Sequence, residues 1–386
     1  MIRQNLAMKI KVLNSIFLFS LLISFLNCNK EKLDIQGIPE FEEFLQDELA
    51  DQKIPAMSVL IFEGNDILYE KYLGISNLEK KQPLTSHHLF LLASVSKVVT
   101  ATALLQLHEK GLFSLDDNIN DYLPFQVAVP NQSTPISFRM LLTHTSGIAD
   151  GSALDDQYYY GEDSPTLLGD FLEQYLIPGG QYYDAIENFH DFEPGTRYEY
   201  SNEGSALIGV LVEQISGKDF NVYCKEHIFQ PLGMDHTFWR LDESLQSNSP
   251  LVLPYRLANN QLEALEHYTF TDFPNGGLRA CGRDLHTFLS AFLQDGVVNN
   301  YQLLAPHTIS SMITPQIPSI DKQVGFHLFQ MDASNNLWGH DGGEEGVATI
   351  MAFNHSTKVG AIILTNQGDV DLDEILVEAY KLGLQL

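Results

Sequence analysis

The chain has 386 residues, with 22 Lys+Arg against 50 Asp+Glu and a formal net charge of −28. Its 44% hydrophobic and 11% aromatic content excludes a mainly disordered chain, and the length leaves room for two domains or one large intertwined one. So negative a chain opposes nucleic acid and anionic membrane surfaces, which need clustered Lys and Arg to meet phosphates; small molecules or cell-wall material fit better.

Residues 1–28 read as an export signal. Arg3, Lys9 and Lys11 precede an apolar run from Ile16 to Leu26 that is short for a membrane span. The run ends at Asn27-Cys28-Asn29-Lys30, which resembles a bacterial lipoprotein signal. Cys28 would then be lipidated and hold the protein at the cell envelope, in the periplasm. Residues 29–37 read as a polar tether. Cys224 and Cys281 are expected as two buried thiols, since one pair makes no disulfide framework. Neither C-x-x-C nor H-E-x-x-H occurs, so no metal or other cofactor is expected.

A helix is predicted after Pro39, with Phe41, Phe44, Leu45 and Leu49 at helical spacing. Ala56 to Phe62 and Ile67 to Tyr72 read as strands joined by Gly64-Asn65-Asp66. Ser94 to Lys110 is apolar on nearly every face, so it predicts a buried helix, stopped by Gly111. A further helix is expected with Ser164 as N-cap and Pro165 at its first position. The tyrosines of Tyr158-Tyr159-Tyr160 and Tyr182-Tyr183 read as packed or solvated loop. Helices follow at about 204–216, ended by Gly217, and at about 284–294. The chain then returns to strands at 325–331, 337–340, 347–353 and 359–365, and closes on an amphipathic helix over 371–386. Strands at both ends with helices between predict an α+β fold: an antiparallel sheet flanked by helices and built from both chain ends, with an inserted mainly helical part. The boundaries read as 38–114 and 265–386 for the sheet part and 115–264 for the insert.

No G-x-S-x-G elbow, phosphate loop or dinucleotide fingerprint is present. What is present is S-x-x-K at Ser94-Val95-Ser96-Lys97. A second copy, Ser319 to Lys322, follows Pro318 in a turn-like stretch with no helix behind it. The first opens the buried helix, where positions three apart share a face, so Lys97 sits one turn from the Ser94 hydroxyl. A helix start also offers backbone N–H groups to a developing oxyanion.

With these features the sequence resembles the serine β-lactamase and penicillin-binding protein superfamily: class C β-lactamases, DD-carboxypeptidases, D-aminopeptidases and related esterases. That family uses a Y-x-N element, and Tyr200-Ser201-Asn202 is the one Y-x-N here. It also uses K-T-G or H-x-G on a strand edge, and His340-Asp341-Gly342 is the one H-x-G. The stretches 141–147 and 274–278 also look familiar, with Thr143-His144-Thr145 read as loop scaffolding. The resemblance spans about residues 38–386 and implies a β-lactamase/transpeptidase-like fold. It implies Ser94 as nucleophile, Lys97 or Tyr200 as its base, and Asn202 on Lys97 and the substrate amide. It also implies an oxyanion hole from the N–H groups of Ser94 and Gly343, the residue after Gly342.

Lysine at position 340 would hold a substrate carboxylate, whereas histidine titrates near neutrality. Asp341, Glu344 and Glu345 would stabilise an imidazolium at His340 yet repel an anionic substrate. The expectation is an exported serine hydrolase acting through a Ser94 acyl-enzyme on D-amino-acid peptides, amides or esters, with weak or no β-lactamase activity. A peptidoglycan-like peptide is one such substrate. The alternatives are a non-turnover penicillin-binding sensor and a true β-lactamase; the oligomeric state is open.

Overall fold

A computed structural model describes residues 35–386; the segment read as an export signal, with Cys28, and most of the stretch read as a tether lie outside the described residues. The strand Ala56–Glu63 is apolar at almost every position and buried along all but its last residue, the pattern of a strand covered on both faces. It pairs antiparallel with Asp66–Asn77 on one side and with Val359–Thr365 on the other, so the two chain ends meet at the middle of the sheet. The full order is Phe329–Asp332, Leu337–Glu344, Val347–Phe353, Val359–Thr365, Ala56–Glu63, Asp66–Asn77, Gln82–Pro83, each pair antiparallel.

Alternation along the central strand divides the core in two. Met57, Val59 and Ile61 pack with Phe41, Phe44 and Leu45 of the Ile38–Asp51 helix and with Ile375, Leu376 and Ala379 of the Asp373–Gly383 helix. Ala56, Leu60 and Phe62 face the other way, toward Leu285, Phe288 and Phe292 of the Gly282–Leu293 helix and the apolar Ser96–Glu109 helix. That last helix is buried from Ser96 to Leu107, as its all-round hydrophobicity predicts.

Between the sheet halves lie the Leu168–Leu176 and Asn202–Ser216 helices and long loops. Gly217, with φ 69°, ends the second by supplying a left-handed cap. The hairpin Tyr255–Ala258/Gln261–Ala264 and the pairing of Tyr158–Tyr160 with Tyr268–Phe270 were not legible in the sequence pattern. The strands expected over 67–72 and 337–340 run on to Asn77 and Glu344, and two element starts move. The helix expected from Ser164 begins at Leu168, because the Ser164 hydroxyl accepts from Thr166 N (3.2 Å) and bonds Thr271 Oγ1 (2.9 Å), making a local turn that leaves Leu167 extended. The strand expected over 325–331 begins at Phe329, because His327 has φ 49° and Gly325 N turns back onto Leu328 O. Cys224 and Cys281 are free and buried. Among the described residues no helix is long and apolar enough to cross a membrane.

Candidate active site

Ser94 sits in a 3-10 turn, Ala93–Val95, that leads into the Ser96–Glu109 helix. Ala93 takes φ 48° while fully buried, a left-handed conformation that costs an alanine about 1 kcal/mol or more. Lys97 lies one turn on, and its Nζ has three oxygen partners: Ser94 Oγ at 3.1 Å, Asn202 Oδ1 at 2.6 Å and Asn275 O at 2.7 Å. The two carbonyl oxygens can only accept. In the neutral amine the two hydrogens therefore stay on Asn202 and Asn275, and the lone pair is left for the Ser94 hydroxyl. Burial pushes the Lys97 ammonium down to about 8, against the opposing pull of Asp150, Glu344, Asp272 and Asp341.

The Tyr200-Ser201-Asn202 element is held by the 141–147 stretch. Glu199 N donates to His144 O (2.9 Å), Ser201 N to His144 Nδ1 (3.1 Å), and the His144 and Tyr200 rings stack at 4.3 Å. Asn202 opens the following helix. Its Nδ2 donates to Asp150 Oδ2 (2.9 Å), which fixes the amide with Oδ1 toward Lys97, and Asp150 also takes the backbone N–H of Asn202 and Glu203. An acidic cap on the positive end of a helix needs no lysine of its own. The Tyr200 hydroxyl is buried and makes no hydrogen bond of standard geometry. Its ring lies 5.0 Å from Lys97 Nζ. Burial drives its ionisation well above 10, only partly opposed by the nearby Ser94 hydroxyl.

His340 lies on Leu337–Glu344, whose other edge pairs with Phe329–Asp332 only as far as Gly339. From His340 onward that edge is free of strand partners. A Cβ on Gly342 would collide with Leu92 O and sit 3.1 Å from Ala93 Cβ, whereas one on Gly343 would meet nothing within 4 Å; Gly342 thus lets the strand lie against the Ser94 turn and Gly343 leaves the cleft open. The imidazolium expected at His340 does not form. The ring is 2% exposed, and burial holds it neutral, down to about 4, despite Asp341. Its Nδ1 donates to Asp341 O (2.5 Å), because a carbonyl cannot donate, so Nε2 carries the lone pair and is without a partner. A similar chain fixes its neighbours: His144 accepts at Nδ1, so its Nε2–H donates to His327 Nδ1 (3.0 Å), and burial keeps both neutral.

Ser94, Tyr198, Tyr200, Phe329, Met331, His340, Asp341 and Gly343 line one cleft of about 370 Å³, with no arginine or lysine among them. The structure thus brings Ser94, Lys97, Tyr200, Asn202, His340, Gly342 and Gly343 together. Sequence reading missed Asp150 and Asp272, which no spacing marks because they come from other elements, and Glu203, which adjoins Asn202 on the same helix but belongs to no motif. The Ser319 copy of S-x-x-K lies in turns at 317–321 and supplies none of the residues that line this cleft. Among the described residues no group of three or more His, Cys, Asp or Glu is placed to hold a metal ion.

A serine beside a buried amine, between a Tyr-x-Asn loop and a free strand edge, is the arrangement of the serine β-lactamases and penicillin-binding proteins. The family described as Beta-lactamase matches residues 41–382, and the chain belongs to it, as a serine hydrolase of that family. It is 27% identical over 343 residues to Penicillin-binding protein 4* of Bacillus subtilis, covering 84% of this chain and 71% of that one. It is 21% identical to Protein flp of Staphylococcus aureus, spanning 85% of this chain and 62%, less than two thirds, of the relative. A penicillin-binding protein from Bacillus halodurans superposes with a TM-score of 0.69 at 26% identity, over 87% of this chain and 98% of that one.

Proposed function

We propose that the protein hydrolyses esters or amides, D-amino-acid derivatives among them, through an acyl-enzyme on Ser94, and that it favours leaving groups without a carboxylate. The Ser94 proton passes to the Lys97 amine as Oγ attacks the carbonyl carbon. The oxyanion is met by the backbone N–H groups of Ser94 and Gly343. The bond to the leaving group then breaks as a proton reaches that group by way of the Tyr200 phenol, which burial keeps protonated at neutral pH. Water repeats the sequence on the acyl-enzyme and releases the acid.

The choice of leaving group rests on one observation: a neutral His340 beside Asp341 in a cleft without arginine or lysine. That wall offers a leaving-group carboxylate beside His340 no cationic partner and repels it at Asp341, while it accepts neutral or cationic groups. This reading favours ester or aminopeptidase-type substrates over carboxypeptidase or β-lactam substrates. Turnover of p-nitrophenyl esters and D-amino-acid p-nitroanilides, set against D-Ala-D-Ala peptides and nitrocefin, tests it. Higher kcat/KM for the first pair is expected; a dominant rate on nitrocefin would replace it with a β-lactamase, and acylation without turnover would replace it with a sensor. Export and lipidation at Cys28 belong to the same proposal on the strength of the leader sequence, and palmitate labelling of wild type but not Cys28→Ser is the expected outcome.

A further inference from the structure

Behind Lys97 lies a pair of carboxyl groups that the steps above do not use. Glu203 is fully buried and Asp272 is 6% exposed. The Asn202–Ser216 helix packs on the Phe273–Asn275 turn that Asp272 precedes, so the two carboxyls face each other and each acts directly on the other. Two buried carboxyls facing each other repel when both are ionised, so the pair holds a proton. Neither Glu203 oxygen accepts a hydrogen bond of standard geometry, and the N–H groups of its own helix start are already taken by Asp150. Asp272, in contrast, accepts from the Asn275 side chain. The proton therefore sits on Glu203 and the charge on Asp272.

The pair reaches the amine through one loop. Asn275 donates its side chain to Asp272 and offers its backbone oxygen to Lys97 Nζ at 2.7 Å, while Pro274 O accepts from Thr100 Oγ1 at 2.7 Å on the same helix. Other carboxyls that face Lys97 are Asp150, Asp341 and Glu344, the last pushed up by burial to about 7 and therefore titrating in the same range in wild type and both variants. The remaining titratable neighbours, His144, His327, His340 and Tyr200, are held neutral.

Resting on the Ser94 acyl-enzyme reading, we propose that Glu203 and Asp272 are positioning residues. They form a carboxylic acid–carboxylate pair holding one proton, which orients Lys97 through Asn275 and supplies the fixed negative charge that sets the pH at which Ser94 becomes reactive. The sign does not depend on the identity of the base. Removing the Asp272 charge disfavours the Lys97 ammonium and equally favours a Tyr200 phenolate, so either route opens at lower pH.

The test is the pH dependence of the acylation burst with p-nitrophenyl acetate. In Asp272→Asn the acidic limb should move down by about one pH unit. In Glu203→Gln, whose amide is neutral as the protonated acid is, it should stay in place. An unmoved or raised limb in Asp272→Asn, or an equal shift in both variants, would overturn the proposal. Infrared spectra of the full chain at neutral pH decide the proton independently of catalysis and of whether Asp272→Asn folds. A carboxylic-acid carbonyl band present in wild type and lost in Glu203→Gln is expected; identical spectra would overturn it. Absence of any Ser94-dependent fluorophosphonate adduct in wild type would sink the acyl-enzyme reading instead, and the infrared result would still judge the pair.

Discussion

At Lys97 two effects oppose each other: desolvation expels the charge, and the surrounding acids retain it. Desolvation wins, leaving the ammonium at about 8. Since the neutral amine is the reactive form, acylation should rise about tenfold per pH unit below that value and level off above it, as read from burst rates. Lys97→Met should slow acylation by about 10²–10⁴-fold. The buried histidines affect stability with the opposite outlook. His340 is neutral when folded, down to about 4, but titrates near 6.5 when unfolded. The unfolded chain thus binds the extra proton as pH falls, and stability present above pH 6.5 is lost between 6.5 and 4. His340 alone accounts for about 3 kcal/mol of that loss, so urea midpoints of His340→Asn should depend less on pH across this window than those of wild type. The chemistry-bearing residues were legible because Ser94-x-x-Lys97, Tyr200-x-Asn202 and His340-x-Gly342 carry their own spacing. The neutrality of His340 was not, because it comes from burial, which no local count of nearby acids reveals.

The elements meet where the strand Leu337–Glu344 presses against the Ser94 turn, and the two glycines there play different parts. A methyl group placed on Gly342 would collide with Leu92 O and with Thr349 Oγ1 (2.5 Å), backbone and a hydroxyl that already bonds Leu92 O. Gly342→Ala should cost about 1–3 kcal/mol in denaturant unfolding and most of the activity. Gly343→Ala has open space and should change stability by less than about 0.5 kcal/mol, with any effect confined to kcat/KM. Strand and helix periodicity located most elements within a residue or two; Val347–Phe353 and Val359–Thr365 needed no adjustment. The helix near Ser164 started late because a proline in a serine turn satisfies its own backbone locally, the alternative to a cap that the same letters encode.

Across the whole molecule, the sheet joins strands about 300 residues apart in sequence, Met57 opposite Thr365 through Glu63 opposite Val359, and the C-terminal helix seals its outer face. Ile375 is fully buried there, so Ile375→Ala should cost about 2–5 kcal/mol, measurable as a lower urea midpoint. Beta-rich runs at both ends made this closure legible. The convergence of Asp150 and Asp272 on Lys97 and Glu203 was not, since only the assembled fold brings their loops to the Asn202–Ser216 helix. The most direct measurement of the central claim is the intact mass of the protein after brief exposure to a fluorophosphonate. Wild type should gain one adduct, Lys97→Met should gain it far more slowly, and Ser94→Ala should gain none. Equal labelling of wild type and Ser94→Ala would contradict the account.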